Sequence, residues 1–220
     1  MESPPTIRPR LARPMSHCLV GSWLNEQDGR TNERRCSLNT KLGCRMIAVR
    51  EAEPRDAQEA ADVLRRSITE LCALDHRGDA DTLRKWLENK TPEKFLLWLA
   101  NADNFCVVAE TNSQVVGVGL LHRSGEIRLC YLAPGVQRKG IGKALYLALE
   151  EQAKAWGLRT LRLESTVSAR QFYEALGFRS AGMATPGFGI SHCHPYEKQL
   201  QPNPSMQPAG RERPAADQER

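Results

Sequence analysis

The chain has 220 residues, 40% of them apolar, which is enough to bury one sizeable hydrophobic core. It contains no run of 18 apolar residues and no compact apolar N-terminal segment, so the sequence predicts a cytoplasmic protein without a membrane partner. The net charge is +5, but residues 1–45 carry eight Lys/Arg against four Asp/Glu and residues 46–200 carry twenty against nineteen, which argues against a nucleic-acid partner.

The two ends of the chain lack the patterns of regular structure. Residues 1–45 are rich in Arg, Pro, Ser and Asn without a sustained period, which predicts a disordered or loosely attached arm. Residues 201–220 contain four prolines, which predicts a disordered tail. Seven cysteines are scattered without a C-x-x-C pair, so we expect reduced thiols. The sequence therefore predicts one folded domain over residues 46–200.

The first half of this domain predicts one strand and three helices. A short strand begins at Met46, and apolar residues recur at helical spacing over 57–74. A second helix is predicted near 81–89. Thr91-Pro92-Glu93 predicts the start of a third, because threonine is a common N-cap and proline fits the first helical position.

The second half predicts hairpin-connected strands followed by alternating helices and strands. Asn112-Ser113 and Ser124-Gly125 are turn sequences between β-rich runs, which favours antiparallel pairing. Gly157 and Gly177 each follow a helical segment and suit its C-terminal end. The predicted elements are strands at 105–110, 114–122 and 126–132, a helix from Gly140 to Trp156, a strand at 160–164, a helix at 168–176 and a strand pair over 178–200.

The most informative segment runs from Leu129 to Leu145 and joins a strand to a long helix through Gln137-Arg-Lys-Gly-Ile-Gly142. Glycines at a helix start let backbone N–H groups approach an anion, and one arginine and two lysines add positive charge. A P-loop would require Ser or Thr at Ala144, and a Rossmann fingerprint would require a third small residue at Leu145. Neither motif fits, and the loop is predicted to hold a pyrophosphate.

Together with its flanking strand, the pattern Q-x-x-G-x-G resembles the acyl-CoA loop of the GNAT superfamily of N-acyltransferases. A second block, Ala169 to Phe178, is similar to that family's A-x-x-x-Y-x-x-x-G-F helix, and the resemblance covers about residues 46–200. It implies the α/β GNAT fold, with a mixed, mostly antiparallel central sheet of about six to seven strands flanked by helices. It also implies acetyl-CoA as co-substrate and no metal. One departure is Thr166, where many members carry Asn.

The resemblance also assigns the cofactor contacts. Pantetheine and the thioester oxygen fall on the backbone of Leu132 and Ala133, whose N–H or C=O groups are expected to be free because Pro134 ends strand pairing. The diphosphate falls on the residues that follow Val136: Gln137, Arg138, Lys139, Gly140, Ile141, Gly142 and Lys143.

Acetyl transfer to an amine requires a neutral amine and a proton for the departing thiolate. The resemblance places Tyr173 at the family's general acid, and the alternative is a core tyrosine packed beside Phe172 and Phe178. Glu126 resembles the glutamate that accepts the amine proton through water in histone-acetylating members, and strand alternation would point it into the thioester groove. The alternative for Glu126 is a solvated residue at the end of a hairpin.

His192-Cys193-His194 does not predict a metal site, because consecutive strand residues point to opposite faces. Four further residues are candidates for the border of the acceptor pocket, and surface polarity explains them equally well. They are Asp75, His76, His194 and Tyr196.

These observations predict an acetyl-CoA-dependent N-acetyltransferase acting on a primary amine of a small molecule or protein, with a homodimer left open. The alternative is a catalytically silent acyl-CoA-binding regulatory module. The cofactor loop supports both functions equally, and only Tyr173 and Glu126 separate them. Aminoacyl-tRNA as the acceptor would need a basic face that residues 46–200 do not offer.

Overall fold

The structure of the protein, a computed structural model, describes residues 47–187 and 190–201. The expectations for residues 1–45, and for the tail beyond Gln201, lie outside these described residues. Within the described ranges, no helix is long and apolar enough to cross a membrane.

The first sheet contains four antiparallel strands in chain order: β1 (Ile47–Glu51), β2 (Asn104–Thr111), β3 (Gln114–His122) and β4 (Ile127–Leu132). The turn between β2 and β3 is formed by Asn112 and Ser113, which both have positive φ angles (53° and 60°). Two left-handed residues in succession match the twist of a tight hairpin. The predicted strands and hairpins are therefore present in this half of the fold.

The helices between β1 and β2 differ from the sequence prediction in one place. Instead of one helix over 57–74, α1 (Ala57–Arg66) continues as a π-helical turn (Ser67–Leu71) and a short α2 (Ala73–His76). The wider turn buries Ile68 while Ser67 and Leu71 face a groove. A π-helical turn contains an extra residue and often occurs at a functional site. The helical spacing of apolar residues in the sequence does not reveal it.

The next two helices follow their capping residues. In α3 (Ala80–Leu87), the Asp79 side chain accepts a hydrogen bond of 2.7 Å from the Thr82 N–H. In α4 (Pro92–Ala100), the Thr91 hydroxyl accepts one of 3.2 Å from the Lys94 N–H. Both side chains satisfy donors that a helix N-terminus leaves without partners.

The second half of the chain builds a smaller sheet. After α5 (Ile141–Ala155) come β5 (Thr160–Ser165), a 3-10 turn (Val167–Ala169) and α6 (Arg170–Ala175). The predicted final strand pair is three strands: β6 (Arg179–Ser180), β7 (Thr185–Gly187) and β8 (Ile190–Gln199). Strand β8 pairs antiparallel with all of its neighbours, β5, β6 and β7.

The two sheets meet where β4 begins. Glu126 forms a parallel bridge with Arg162, and the Arg162 N–H donates a hydrogen bond of 2.9 Å to the Gly125 carbonyl. A Cβ atom at Gly125 would lie 2.6 Å from the carbonyl oxygen of Thr160, so only glycine allows this approach. Beyond this point β4 and β5 share no further bridge within the described residues. A mostly antiparallel α/β fold flanked by helices is therefore confirmed, with two sheets joined at one edge.

Helix α5 is bonded to the smaller sheet through a partly buried charged cluster. Lys198 of β8 donates hydrogen bonds to the Glu150 carboxylate (2.7 Å) and to the Tyr146 hydroxyl oxygen (2.9 Å). Lys154 donates to the same carboxylate at 2.6 Å, and the Tyr146 hydroxyl donates to it as well. Burial raises the pKa of Glu150, but these hydrogen bonds outweigh burial and lower it from 4.5 to about 2.

We expect Glu150→Gln to lower the free energy of unfolding at pH 7 by roughly 3 kcal/mol, because a lowered pKa is a stabilisation of the charged form. A carboxylate with a depressed pKa stabilises the fold above pH 4.5 and loses that effect as the pH falls towards 2. Urea denaturation between pH 7 and pH 3.5 should therefore show a narrowing difference from wild type. Glu151→Gln, on the exposed side of α5, is the control and should change little. A difference that does not depend on pH would contradict this explanation.

Candidate functional site

A groove of about 630 Å³ opens between β4 and β5, beyond the Gly125 junction. One wall is β4 and the start of α5, and the other is β5, the 3-10 turn and α6. The π-helical turn after α1 closes one side. The lining includes Arg128, Cys130 and Leu132 from β4, Arg138, Gly140, Gly142 and Lys143 around the start of α5, Glu164, Thr166, Phe172 and Tyr173 opposite, and Ser67, Leu71 and Cys72 from the turn.

The loop before α5 is held by its own side chains. The Gln137 amide donates to the Ala133 carbonyl (2.8 Å), and its oxygen accepts from the Gly135 N–H (3.0 Å). The Lys139 ammonium donates to the Gly135 carbonyl at 2.7 Å. Both side chains therefore hold the loop, and Gln137 also lines the groove, whereas Lys139 does not.

The backbone of Ala133 differs from the sequence expectation. Its N–H donates a hydrogen bond of 2.8 Å to the Val116 carbonyl, and its carbonyl accepts from Gln137. Pro134 ends the strand, but pairing continues through Ala133, so neither backbone group of Ala133 is free. Leu132 lines the groove.

The start of α5 presents backbone N–H groups and two cationic side chains to the groove. Gly140 precedes the helix with a φ angle of 81°, a left-handed conformation that suits glycine. The first N–H groups of a helix have no intrahelical partner, so those of Ile141, Gly142 and Lys143 are available to a ligand. The Ile141 side chain is buried in the core, so this residue can offer only its backbone. The side chains of Arg138 and Lys143 line the same part of the groove.

Tyr173 lies in the opposite wall and is 7% exposed. Its ring packs edge-on against Phe172 and Phe178, with centroids 5.1 Å and 5.7 Å away. Burial, and then the negative charge that Cys130 and Tyr131 would carry if ionised, raise the pKa of Tyr173 well above 10. The Cys130 thiol, which also lines the groove, is close enough to affect this pKa. The hydroxyl is therefore protonated at neutral pH.

Glu126 lies at the sheet junction rather than in the groove lining. Its carboxylate pairs with the Arg128 guanidinium at 2.8 Å, and its side chain is 48% exposed. Arg128, Cys130 and Leu132 line the groove, but Ile127 and Tyr131 line it as well, so the groove lining does not follow the alternation expected along β4.

Several groove residues carry no signal in the sequence. Ser67, Leu71 and Cys72 reach it only because of the π-helical turn. Glu164 belongs to an alternating strand whose apolar residues, Leu161 and Leu163, are the obvious feature. The alternation of side chains along β5 could have indicated that Glu164 faces away from the buried leucines. It could not have indicated that Glu164 lies beside the groove.

The residues considered for the acceptor border do not line this groove, and three of them form hydrogen bonds within the fold. The Asp75 carboxylate accepts hydrogen bonds from the Val167 N–H (2.6 Å), the Ser168 N–H (3.4 Å) and the Ser168 hydroxyl (2.6 Å). His76 is buried, its Nε2 donates to the Thr69 carbonyl and its Nδ1 accepts from the Gly78 N–H. The Tyr196 hydroxyl donates to Glu174 at 2.6 Å. His194 does not line the groove either.

The His192-Cys193-His194 segment follows the predicted alternation at its first two positions. His192 is exposed and Cys193 is buried beside Ile68, Cys72 and Trp86. In the described part of the chain, no three His, Cys, Asp or Glu residues are arranged to hold a metal ion.

A model of the acetyltransferase (GNAT) domain matches residues 71–200, more than half of the chain. The chain belongs to the GNAT family of acetyltransferases. No curated protein matches the sequence.

Solved structures share the fold of this GNAT domain. A GCN5-related N-acetyltransferase from Rhodopseudomonas palustris is 23% identical, with a TM-score of 0.62 over 70% of this chain and 95% of that one. The PaiA N-acetyltransferase of Thermoplasma acidophilum, solved with coenzyme A, is 24% identical, with a TM-score of 0.59 over 70% and 99%. The ribosomal-protein-S18-alanine N-acetyltransferase of Escherichia coli is 18% identical, with a TM-score of 0.53 over 74% and 100%. At these identities the likeness establishes the fold.

We expect millimolar coenzyme A to raise the melting temperature of the wild type, because a ligand that binds only the folded state stabilises it. Gly140→Asp should abolish this shift by placing a carboxylate at the helix N-terminus. Gly157→Asp is the matched control, since both glycines have positive φ and no atom within 4 Å of an added Cβ, but Gly157 follows the other end of α5. Shifts are compared with the melting temperature of each unliganded variant. Equal loss of the shift in both variants would contradict a diphosphate site at Gly140.

A second prediction concerns Asp75, which ties the segment after α1 to the turn that begins α6. Asp75→Ala should lower the free energy of unfolding by about 1 kcal/mol, the usual effect of losing a capping side chain. It should also speed hydrogen exchange of the Val167 amide, whose bonding partner is removed. Asp79→Ala removes the cap of α3 and should leave the Val167 amide unchanged. Unchanged exchange at Val167 in Asp75→Ala would show that the carboxylate does not hold the turn.

Proposed function

We propose that this protein transfers an acetyl group from acetyl-CoA to a primary amine of a small molecule or protein, by direct attack on the thioester. The observation that carries the proposal is that one groove contains both the helix N-terminus of α5 and the Tyr173 hydroxyl. The helix N-terminus suits a diphosphate, and the Tyr173 hydroxyl suits a leaving thiolate.

Cofactor binding is assigned mainly to backbone groups. The N–H groups at the start of α5 would bind the diphosphate oxygens, and the charges of Arg138 and Lys143 would add attraction. Gln137 and Lys139 act on binding indirectly, because their hydrogen bonds fix the loop that leads into the helix. Backbone groups fixed in this way lose little conformational entropy when a ligand binds.

The reaction is a nucleophilic substitution at the thioester carbonyl carbon. The amine nitrogen bonds to this carbon, the carbon–sulfur bond breaks, and Tyr173 donates its hydroxyl proton to the sulfur. The nitrogen releases one proton to water, and the Tyr173 oxygen recovers a proton from solvent. Because the pKa of Tyr173 lies well above 10, this hydroxyl is a donor throughout the neutral range.

Proton removal from the amine is assigned to water in this proposal. The resemblance implies that Glu126 could accept this proton through water, with a solvated residue as the alternative. Its carboxylate is ion-paired with Arg128 and does not line the groove, which supports assigning the step to water alone. The competing function, a silent acyl-CoA-binding module, shares the cofactor surface and differs only in the absence of transfer.

Tyr173→Phe separates these two functions, because it keeps the ring packing against Phe172 and Phe178 and removes only the hydroxyl. Turnover measured by thiol release from acetyl-CoA should fall by about 10²-fold, the usual scale for losing one positioned proton donor, with coenzyme A affinity little changed. The loss should be similar at all pH values from 6 to 9, since the hydroxyl stays protonated over this range.

Tyr146→Phe is the matched control, because Tyr146 is buried and hydrogen-bonded but does not line the groove. This variant should lose stability without losing turnover per folded molecule. If Tyr173→Phe behaves in the same way, the Tyr173 hydroxyl is structural. If the wild type binds acetyl-CoA but acetylates no amine, the silent module is the correct function.

A further inference from the structure

The charged side chains that line the groove are unevenly distributed. Three are cations: Arg138 and Lys143 near the start of α5, and Arg128, which is paired with Glu126. Among the described residues that line the groove, Glu164 is the single carboxylate. The groove therefore has a basic part suited to the cofactor and one acidic position elsewhere.

The position of Glu164 on β5 determines which side of the sheet it faces. Leu161 and Leu163 are buried, and their partners on β8, Lys198 and Tyr196, are bonded to α5 and α6. Since successive strand residues alternate, Glu164 points to the opposite face of the sheet. The cofactor surface of α5 and the Tyr173 hydroxyl of α6 therefore approach the groove from one side, and Glu164 approaches it from the other.

Glu164 also has a neighbour that identifies this second side. A Cβ atom added at Gly187 would lie 3.0 Å from the Glu164 Oε2 and 2.9 Å from the Cys193 Sγ, so the carboxylate and the thiol are neighbours. Cys193 is buried with Ile68, Cys72 and Trp86. Burial and the Glu164 charge raise the pKa of Cys193 to about 12, so the thiol is neutral. Ser67 and Cys72 of the π-helical turn line the groove on this side.

The Glu164 carboxylate retains most of its hydrogen-bonding capacity. Its side chain is exposed, and within residues 47–187 and 190–201 it forms no ion pair. An ionised carboxylate has about four acceptor sites, and the neighbouring thiol can offer only one weak donor to them. A cationic N–H donor is the complementary group, and charge-assisted hydrogen bonds are the stronger class.

We propose that Glu164 binds the acceptor and selects an amine that is positively charged in solution, an alkylammonium group rather than a neutral aromatic amine. This inference rests on the proposed acetyl transfer. A thioester bound along α5 leaves the opposite side of the sheet for the nucleophile, and Glu164 is the acidic group on that side. It holds the amine by charge and hydrogen bonding, and deprotonation by water then allows attack.

The test compares Glu164→Gln with wild type on n-butylamine, 1,4-diaminobutane and aniline, using thiol release from acetyl-CoA. For the two alkylamines we expect kcat/KM to fall by about 10- to 100-fold, mainly through KM, the scale of one hydrogen bond to a charged group. Aniline, which is neutral at pH 7, should be affected little, and wild type should use it less well than the alkylamines. Coenzyme A affinity should be unchanged.

Glu197→Gln is the matched control, because Glu197 lies on the same face of the neighbouring β8, opposite Arg162, and does not line the groove. It should leave kcat/KM for all three amines unchanged. An equal loss in both variants, or a loss in Glu164→Gln that is as large for aniline as for n-butylamine, would overturn the assignment. Preference of the wild type for aniline would overturn it too, while leaving acetyl transfer intact.

A binding measurement keeps this inference separable from the proposed function. The melting temperature of the protein with saturating coenzyme A is recorded with and without 1,4-diaminobutane. A rise in melting temperature on adding 1,4-diaminobutane to wild type, lost in Glu164→Gln, supports the cation site. This conclusion holds even if none of the amines is acetylated, and in that case it is the proposed transfer function that fails. No rise in wild type, together with no transfer to either alkylamine, overturns the cation site.

Discussion

The hydrogen bond from Arg162 to the Gly125 carbonyl is the contact on which the functional groove depends. It joins the two sheets at one point, where a glycine allows the strands to approach within a distance that any side chain would prevent. Past this point the backbone edges of β4 and β5 are not paired with each other among the described residues. Unpaired strand edges normally favour aggregation or further pairing. Here the unpaired edges of the two strands face a groove instead. The groove therefore exists because the strands are joined at one point and are not paired beyond it.

The two sides of the groove are stabilised by different interactions. Helix α5 is fixed to the first sheet by apolar packing and to the second by the Glu150 cluster, which places its N-terminus rigidly. The turn before α6 is fixed mainly by Asp75, a side chain from the segment after α1 that is exposed to solvent in part. The proposed cofactor surface therefore begins a helix that is fixed by buried contacts, and the proposed proton donor follows a turn that is held by a partly exposed side chain.

The sequence predicted those features that depend on neighbouring residues. Thr91 and Pro92 determine the start of α4, and Asn112-Ser113 determine a tight hairpin, because both effects act over a few positions of backbone. The start of α5 after Gly140 was predictable for the same reason. The π-helical turn was not, because its extra residue is favoured by burial of Ile68 against distant strands. Nor could the pattern show that Lys139 bonds to its own loop, or that Glu126 pairs with Arg128, since basic and acidic residues carry no sign of their partners.

The closeness of the Tyr173 and Cys130 side chains has a consequence for the energy of the proposed reaction. Each of these groove residues shifts the pKa of the other, so the phenol already has a sulfur atom as its neighbour. In the proposed transfer, a departing thiolate would offer the phenol a stronger hydrogen-bond acceptor of the same element. The donor would then need little movement, and its dipole would be in place before the bond begins to break. Cys130 thus marks, within the protein itself, a position where sulfur fits beside the proposed proton donor.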